Sequence, residues 1–458
     1  MFDEAKVLKV LMSGDARYAD VFAEERTYTH IQLESGRVEK LERGEDRGVG
    51  LRVIMPWRTY LASTTADDER NLLALARDLA GAAGHADGPG PGVLTIAKAG
   101  YPFTLEVPAG GVTMEKKLAL VRRLEAAARS MEGRIRQARV VYRDTRQSVR
   151  IASGGGLMVS DCRDQVVLNL LLVGEKDGDI QTAYDAIGGF YGFEYFTDER
   201  VEELVRTTVT RLSGLLDARE APMGTKTVVL ASEAGGTMIH EAIGHGLEAD
   251  LAMEGLSVYK GQLGAMIASP LITVVDDKTI PHLRGTYAYD DEGVAAERTV
   301  LVDQGVLKNY LFDRFQAMKH GRLSTANGRR ESFRFRPIPR MSNTMILPGK
   351  DDPSAIIASV DDGVLVRKMG GGQVDTVRGD FVFEISEGYL IEKGKVGPMI
   401  KNATMMGNGP KVLREIDMVG SDFGFGIGTC GKDGQGVPVS DAQPTLRIPN
   451  IIVGGRAG

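Results

Sequence analysis

Alternating apolar and polar positions dominate the first part of the chain. From Tyr18 to Leu61 apolar side chains recur at about every second position, as in Thr29 to Leu33, which is the period of a strand with one buried face. The pair Ser35-Gly36 interrupts this pattern and predicts a hairpin turn between antiparallel strands. The same period returns from Ala138 to Leu172, so we expect further strands there.

Three segments of the first half have the period of amphipathic helices instead. They are Asp67 to Ala83, residues 114 to 132, and Thr197 to Leu216. Thr197 precedes two acidic residues and an apolar stripe, so it is the expected N-cap of the third helix. The run 84–92, rich in glycine and proline, predicts a loop after the first helix.

The segment Asp217 to Gly224, which contains a proline, is the best candidate for a domain boundary. We therefore expect an N-terminal α/β domain over residues 1–220, with an antiparallel-rich sheet and helices. A larger, β-rich C-terminal domain over residues 221–458 should follow. Together these domains place the protein in the α+β class.

The second domain is predicted to begin with a buried strand at Thr225 to Ala231, a turn at Gly235-Gly236 and a helix. From Val274 onward strands predominate and glycine is frequent, which predicts bulges or close approach of neighbouring chain segments. The triple glycine Gly370 to Gly372 is not followed by Lys-Ser/Thr, so it does not indicate a phosphate-binding loop.

The composition and charge of the chain limit the kinds of function that we expect of the protein. Of 458 residues, 43% are hydrophobic and 26% are charged, which is typical of a globular protein with a large core. The net charge of −6 is spread over both signs, so we expect no binding to nucleic acid or to a membrane. The chain begins without a leader pattern and contains only two cysteines, Cys162 and Cys430, which favours a cytoplasmic location.

The candidate chemistry centres on the stretch from Thr237 to Asp250. His240, Glu241 and His245 form the pattern His-Glu-X-X-X-His, one residue longer than the His-Glu-X-X-His motif of zinc peptidases. At about 100° per residue, positions five apart point to different faces of a regular α-helix. Either a π-bulge or a helix that ends between the histidines would bring them together, and Gly244 would ease both distortions.

A catalytic metal needs a third protein ligand besides two histidines. The candidates are His282, His320, the many acids and Cys430, whose neighbouring glycines leave room for a thiolate to bind a metal. On the residues alone, an inert buried thiol is an equally open alternative. A cysteine nucleophile with a histidine base is a further alternative, although it would leave Glu241 without a role. Cys162 stands in a predicted strand and is expected to be a small buried hydrophobe without chemistry.

Eight segments spread along nearly the whole chain carry a resemblance to a known family. They are 44–53 (GEDRGVGLRV), 240–245 (HEAIGH), 289–293 (YDDEG), 327–330 (NGRR), 339–343 (PRMSN), 380–392 (DFVFEISEGYLIE), 407–409 (GNG) and 428–432 (GTCGK). In sequence and in order, these segments resemble TldD-type members of the TldD/PmbA family of metallopeptidases.

The resemblance implies a zinc peptidase in which His240, His245 and Cys430 bind Zn²⁺ and Glu241 is the general base. It implies small or unfolded peptides as substrates, cleaved by metal-activated water. It also implies a dimer, either with a second copy or with a PmbA/TldE-like paralogue. Since that paralogue lacks the motif, a non-catalytic peptide-binding or scaffolding subunit is the alternative.

The glycine-rich strands suggest how a peptide would bind. We expect it to add as a strand along Phe381 to Ile391 or near Met369 to Val374, since main-chain hydrogen bonds give affinity without demanding particular side chains.

Overall fold

The computed structural model of the protein describes residues 2–12, 15–84 and 93–455. Residues 85–92 of the predicted loop lie outside these ranges. In the described ranges, no helix combines the length and the apolar character needed to cross a bilayer.

The first half of the chain forms one large sheet with helices packed against it. Its strands are β1 (Tyr18–Glu34), β2 (Arg37–Ile54), β3 (Thr59–Thr64), β4 (Thr95–Lys98), β5 (Ile135–Ser153), β6 (Leu157–Lys176) and β7 (Asp179–Gly189). Its helices are α1 (Glu4–Leu11), α2 (Glu69–Ala82), α3 (Met114–Met131) and α4 (Asp198–Leu216).

The four long strands β1, β2, β5 and β6 form the antiparallel centre of this sheet, in the order β3-β2-β1-β5-β6. Both β4 and β7 pair with β6. The predicted hairpin is confirmed, since Ser35 and Gly36 have the positive φ angles of a tight turn, 47° and 82°. The predicted helices are confirmed as α2, α3 and α4, and the Thr197 hydroxyl caps α4 by accepting a hydrogen bond from the Arg200 N–H.

The second half contains many shorter strands and a few short helices. The strands are β8 (Arg219–Glu220), β9 (Gly224–Leu230), β10 (Val274–Asp277), β11 (Arg298–Asp303), β12 (Val306–Leu307), β13 (Gly328–Arg329), β14 (Ile338–Pro339), β15 (Asn343–Ile346), β16 (Asp362–Val374), β17 (Asp380–Glu392), β18 (Lys395–Lys401), β19 (Ala403–Asn408), β20 (Met418–Val419), β21 (Gly424–Lys432), β22 (Gln435–Gln443) and β23 (Leu446–Gly454). The helices are α5 (Thr237–Ile239), α6 (Ala249–Ala252), α7 (Arg314–Lys319), α8 (Pro353–Ala358) and α9 (Gly409–Glu415).

Five of these strands close into a ring. β16 pairs with β9, β9 with β23, β23 with β19, β19 with β17, and β17 pairs again with β16. A separate sheet has the order β12-β11-β10-β15-β22-β21. Met238, Ile239 and Ile243 belong to the apolar core that both sheet systems share, so the candidate motif is held between them. The expected α+β class is confirmed.

The glycine-rich strands contain the predicted bulges and close approaches. The β16–β17 pairing shifts register three times between Val366 and Gly372. A Cβ on Gly372 would overlap the Phe383 ring, and one on Gly370 would come within 2.6 Å of the Ser386 hydroxyl. The glycines therefore let side chains of β17 pack close against β16.

The hypothesis that a peptide binds as an added strand along Phe381 to Ile391 is wrong. β17 pairs with β16 on one side, and on the other side with β19 of the ring and with β18, so both of its edges are occupied. In β16, Gly363 to Val366 pair with β9, whereas Met369 to Val374 pair only with β17. Within the described ranges, one edge of this second part of β16 has no strand partner.

Buried ion pairs join the two halves of the molecule. The Arg52 guanidinium of β2 contacts Asp20 of β1 and lies 2.7 Å from the carboxylate of Glu292. Arg330 lies 3.1 Å from the other oxygen of Asp20. None of these four side chains is accessible to solvent. The segments 289–293 and 327–330 therefore help to fix the second half on the first sheet.

Candidate metal centre

His240 and His245 lie on a helical segment that changes its geometry along its length. The single turn α5 leads into a π-helical turn at His240–Gly244, which is followed by a 3-10 turn at His245–Leu247. The His245 N–H donates to the His240 C=O, five residues back. The wider turn keeps the two imidazoles close, with ring centroids 5.1 Å apart. Of the two distortions considered, the π-bulge is the one present.

Gly244 is required for packing rather than for backbone freedom, so the expected reason for this glycine is wrong. Its φ of −55° and ψ of −59° are ordinary helical angles that any residue adopts. A Cβ at this position would overlap the Sδ atom of Met341. Gly246 is constrained in the same way, because its Cβ would meet the Tyr259 ring at 2.7 Å.

The structure brings three of the candidate ligands together. One donor atom each from His240, His245 and Cys430 lie within 4.8 Å of one another. The Cys430 Sγ is 3.5 Å from the Nε2 of His245. His240 and Cys430 are buried and His245 is nearly so, which is a suitable environment for a shielded ion.

The other candidate histidines lie elsewhere. His282 stacks on the Tyr191 ring at 4.6 Å, and its Nδ1 lies 3.1 Å from the Phe190 carbonyl. His320 lies 3.7 Å from Glu254. Both therefore have structural contacts away from the metal centre.

Cys162 lies in β6, as expected, but it is only half-buried, so its assignment as a buried hydrophobe is wrong in that respect. Its Sγ lies 3.8 Å from the Ser148 hydroxyl on the neighbouring strand. Burial raises the pKa of this thiol, so it is a weaker nucleophile than a free cysteine.

Charged residues lie behind both histidines. The Nδ1 of His245 lies 2.9 Å from Glu248, and the Lys432 ammonium lies 3.0 Å from that same carboxylate. The Nδ1 of His240 faces Asp441 at 4.0 Å, and Asp441 accepts a hydrogen bond from the Gly236 N–H. A carboxylate hydrogen-bonded to one ring nitrogen, as Glu248 is to His245, fixes the ring orientation and leaves the opposite nitrogen free for a metal.

The electrostatics of the site favour a thiolate at Cys430. Burial acts to raise the pKa of this thiol, but hydrogen bonds to His240 and His245 and the charges of their rings lower it to about 5. Burial acts to lower the pKa of His245, yet the Glu248 carboxylate and the thiolate raise it well above its ordinary value. In the protein alone, charge is thus held as a thiolate beside an imidazolium.

The pKa values of two carboxyl groups of the site, Glu248 and Glu241, are shifted in opposite directions. Burial acts to raise the pKa of Glu248, but the charges of Lys432 and His245 lower it to about 2, so this group stays ionised. Burial raises the pKa of Glu241, and the nearby rings oppose this only in part.

A buried arginine holds the strand that carries Cys430. This cysteine lies in β21 opposite Val437 of β22. The fully buried Arg340 donates hydrogen bonds to the main-chain carbonyls of Cys430 and Gln435. The segment 339–343, which the resemblance singles out, therefore supports the hairpin of the site without joining the metal ligands.

Sequence reasoning missed the supporting groups Glu248, Lys432 and Asp441. Glu248 stands three residues after His245, a spacing that places side chains near each other on a helix, so this signal was available in the sequence. Asp441 has no such signal, because its proximity to His240 depends on the pairing of β22 within its sheet.

The fold and the site together define a protein in which a helix of the His-Glu-X-X-X-His type faces a cysteine on a β-hairpin. Three family models match the chain. They are the PmbA/TldA metallopeptidase domain 1 over residues 19–83, the central domain over 108–216 and the C-terminal domain over 223–455. The chain belongs to the PmbA/TldD family of metallopeptidases.

Individual relatives agree with this assignment. The Metalloprotease TldD homolog of Haemophilus influenzae is 34% identical over 98% of this chain and 95% of its own. The Zinc metalloprotease TldD homolog of Saccharolobus solfataricus is 30% identical over 62% of this chain and 64% of its own. The crystal structure of TldE from Thermococcus kodakarensis shares the fold, with a TM-score of 0.72 over 95% of this chain and 97% of that chain at 18% identity.

Proposed function

We propose that this protein is a zinc-dependent peptidase that hydrolyses small or unfolded peptides, with Glu241 as the general base. The observation that carries the proposal is the convergence of donor atoms from His240, His245 and Cys430 within 4.8 Å. Glu241 directly follows the first of these ligands in the π-turn. Membership of a metallopeptidase family and the name of the Saccharolobus relative support a peptidase and zinc.

The donor set fits Zn²⁺. Two imidazoles and one thiolate are ligand types of tetrahedral zinc sites. Glu248 accepts the Nδ1 proton of His245 and leaves its Nε2 free, while the buried Nδ1 of His240 has no hydrogen-bond partner among the described residues. Zinc bound there would polarise the scissile carbonyl and make a water molecule more acidic.

Glu241 is the group available to move protons. Its side chain is partly exposed and makes no hydrogen bond or ion pair with the described residues. Because burial raises its pKa, the carboxylate is a better base than a fully solvated one. It would accept a proton from the attacking water and return it to the leaving amine.

The open edge of Met369 to Val374 is our proposed site for the substrate backbone. β16 and β17 both approach the π-turn, so a strand added at this edge would run towards the metal ligands. Such an edge binds extended backbone and demands little of the side chains. We therefore expect loose sequence preference and no cleavage of compact folded domains.

The setting of the reaction is also part of the proposal. We propose a cytoplasmic enzyme that acts as a dimer, either with a second copy or with a PmbA/TldE-like paralogue. The division into domains over residues 1–220 and 221–458 stays a prediction.

Glu241→Gln tests the general base. Glutamine is nearly isosteric but cannot accept the proton, so we expect turnover of an unstructured peptide to fall about a hundredfold to ten-thousandfold. Zinc content, measured by mass spectrometry, should stay at the wild-type level. Glu233→Gln is the matched control, because Glu233 is exposed and precedes the metal-binding helix, and it should keep full activity. Activity of Glu241→Gln within a few-fold of the wild type would remove this residue from the mechanism.

A second mechanism has a specific observation in its favour. Cys430, His245 and Glu248 form a contact chain with distances of 3.5 Å and 2.9 Å, which is the order of groups in a thiol hydrolase. A chelator separates the two mechanisms. It should abolish the activity of a metallopeptidase and leave that of a thiol hydrolase unchanged. A non-catalytic scaffolding subunit would contain almost no zinc and would cleave nothing in either condition.

A further inference from the structure

A basic cavity lies between the two halves of the molecule. Its volume is about 580 Å³. Residues of β1, β5, β6 and β7 form one wall, and residues of the β21–β22 hairpin form another. Thr429 lines this cavity, whereas the adjacent Cys430 faces the metal centre, because successive side chains of a strand point to opposite faces. The cavity is therefore separate from the proposed peptidase site.

The charges around this cavity are unbalanced. Among the described residues, only two carboxylates, those of Asp291 and Glu331, line it, although the chain as a whole has a net charge of −6. Six arginines face them, namely Arg26, Arg143, Arg163, Arg284, Arg329 and Arg330.

Two of the six arginines are neutralised within the fold. Arg163 pairs with Asp161 at 2.9 Å and with Asp291 at 2.7 Å. Arg330 pairs with Asp20. The other four arginines form no ion pair with the described residues. Of the two carboxylates that line the cavity, Asp291 is paired with Arg163, so Glu331 is left to face four positive charges.

The protein holds two of these unneutralised guanidinium groups in fixed positions. Arg284 donates to the Gly428 carbonyl and the Thr429 hydroxyl, both in β21. Arg329 donates to the carbonyls of Met341 and Pro438. Neutral carbonyl partners orient a guanidinium but leave its charge in place. The remaining N–H groups of such an arginine are therefore available to a ligand with negative charge.

We propose that this cavity binds a small organic anion that carries two or more carboxylate or phosphate groups. The paired N–H donors of guanidinium groups match the oxygens of these anions. Bringing several unpaired cations together costs Coulomb energy, which a bound anion would recover. The cavity volume suits a molecule of the size of a tricarboxylate or a sugar phosphate.

Isothermal titration calorimetry on the full chain tests the proposal. The probes are benzene-1,3,5-tricarboxylate, whose rigid ring prevents chelation of one metal ion by several carboxylates, and fructose 1,6-bisphosphate. We expect saturable binding of at least one probe, at one site per chain, which weakens as salt is added. The stronger probe indicates whether carboxylate or phosphate is the preferred group.

Two variants connect the binding to the cavity. Arg284→Gln and Arg143→Gln should each weaken binding by roughly tenfold, since each removes a charged hydrogen-bond donor. Arg206→Gln, which changes an exposed arginine of α4, should bind as the wild type does. Arg143 is exposed and has no side-chain partner among the described residues, so its replacement should not disturb folding.

Thermal unfolding gives an independent readout. Without a probe, Arg143→Gln should be as stable as the wild type or more so, because one repulsive charge is removed. The probe should raise the unfolding temperature of the wild type, and it should raise that of the variant much less. Absence of saturable binding by both probes, or equal affinity in the wild type and both cavity variants, would overturn the proposal.

Discussion

At the scale of single residues, a chain of charged groups controls the proton state of the candidate metal ligands. The Lys432 ammonium lies 3.0 Å from Glu248 and 2.7 Å from Asp250, which keeps Glu248 ionised. Ionised Glu248 in turn holds the Nδ1 proton of His245, and the Nε2 of this ring faces Cys430. Lys432 thereby helps to position the candidate ligand His245 without touching it.

Cys430→Ala should remove most of the bound zinc, because two imidazoles alone hold the ion much more weakly than three ligands do. Zinc per chain is measured by mass spectrometry after gentle purification. Cys162→Ala is the matched control, since Cys162 lies in β6 of the first sheet, and it should retain wild-type zinc. Full zinc in both variants would mean that a carboxylate completes the site.

The ionisation of Cys430 gives a prediction about pH in the metal-free protein. Its pKa of about 5 means that the thiolate is present at neutral pH and takes up a proton as the pH falls through about 5. Ultraviolet absorbance of the thiolate should follow this titration. The signal should be missing in Cys430→Ala and retained in Cys162→Ala, because burial raises the pKa of Cys162. A thiolate signal that appears only in alkaline solution would contradict the prediction.

At the scale of elements, the features with local signals were predictable from the sequence. The Thr197 cap and the Ser35-Gly36 turn depend on neighbouring residues only, and both are present. The closure of β16 on β17 depends on strands that pair across the whole second half, so no local pattern indicates that β17 lacks a free edge. The short helix α1 also escaped prediction, although Asp3 caps it, because eight residues give little periodicity.

Within the candidate site too, features with a local sequence signal were predictable, and features that depend on residues distant in sequence were not. His240, Glu241 and His245 were found from their spacing. Cys430 was one of several candidates on the residues alone, and the resemblance to a family singled it out. The reason for Gly244 was not predictable, because Met341, which excludes a Cβ there, is distant in sequence.

Gly244→Ala should destabilise the protein by about 1–3 kcal/mol, since the new methyl group overpacks a filled core. It should also lower zinc content, because relief of the overlap with Met341 would shift the π-turn. Urea unfolding measures the first effect. Gly81→Ala in α2 is the control, as its Cβ would meet no atom within 4 Å, and it should stabilise the protein by about 0.5–1 kcal/mol. If Gly244→Ala were as stable as the wild type, the Met341 side chain would have to shift readily to make room for the new methyl group.

At the scale of the whole molecule, the ion pairs of Arg52 join the first sheet to the second half. A buried pair contributes little net stability when it is complete, but loss of one partner leaves an uncompensated charge. Arg52 touches both Asp20 and Glu292. Its removal would leave the buried Glu292 carboxylate without an ion-pair partner among the described residues and Asp20 with Arg330 alone.

Arg52→Leu should therefore lower the free energy of unfolding by about 3–5 kcal/mol. Lys6→Ala, which removes the exposed Lys6–Glu69 pair, should leave the unfolding midpoint almost unchanged. Urea titrations followed by circular dichroism compare the two variants. A small effect of Arg52→Leu would indicate that water reaches these carboxylates and replaces the guanidinium.

The separation of the candidate ligands along the chain has a consequence for folding. His245 and Cys430 are 185 residues apart in sequence, yet their side chains are in contact. An ion held by both would act as a cross-link that closes this long loop and so reduces the conformational entropy of the unfolded chain. The site cannot assemble until the β21–β22 hairpin has joined its sheet. A nascent chain from which only the histidines have left the ribosome therefore has an incomplete site, which would delay the proposed peptidase activity until the fold is finished.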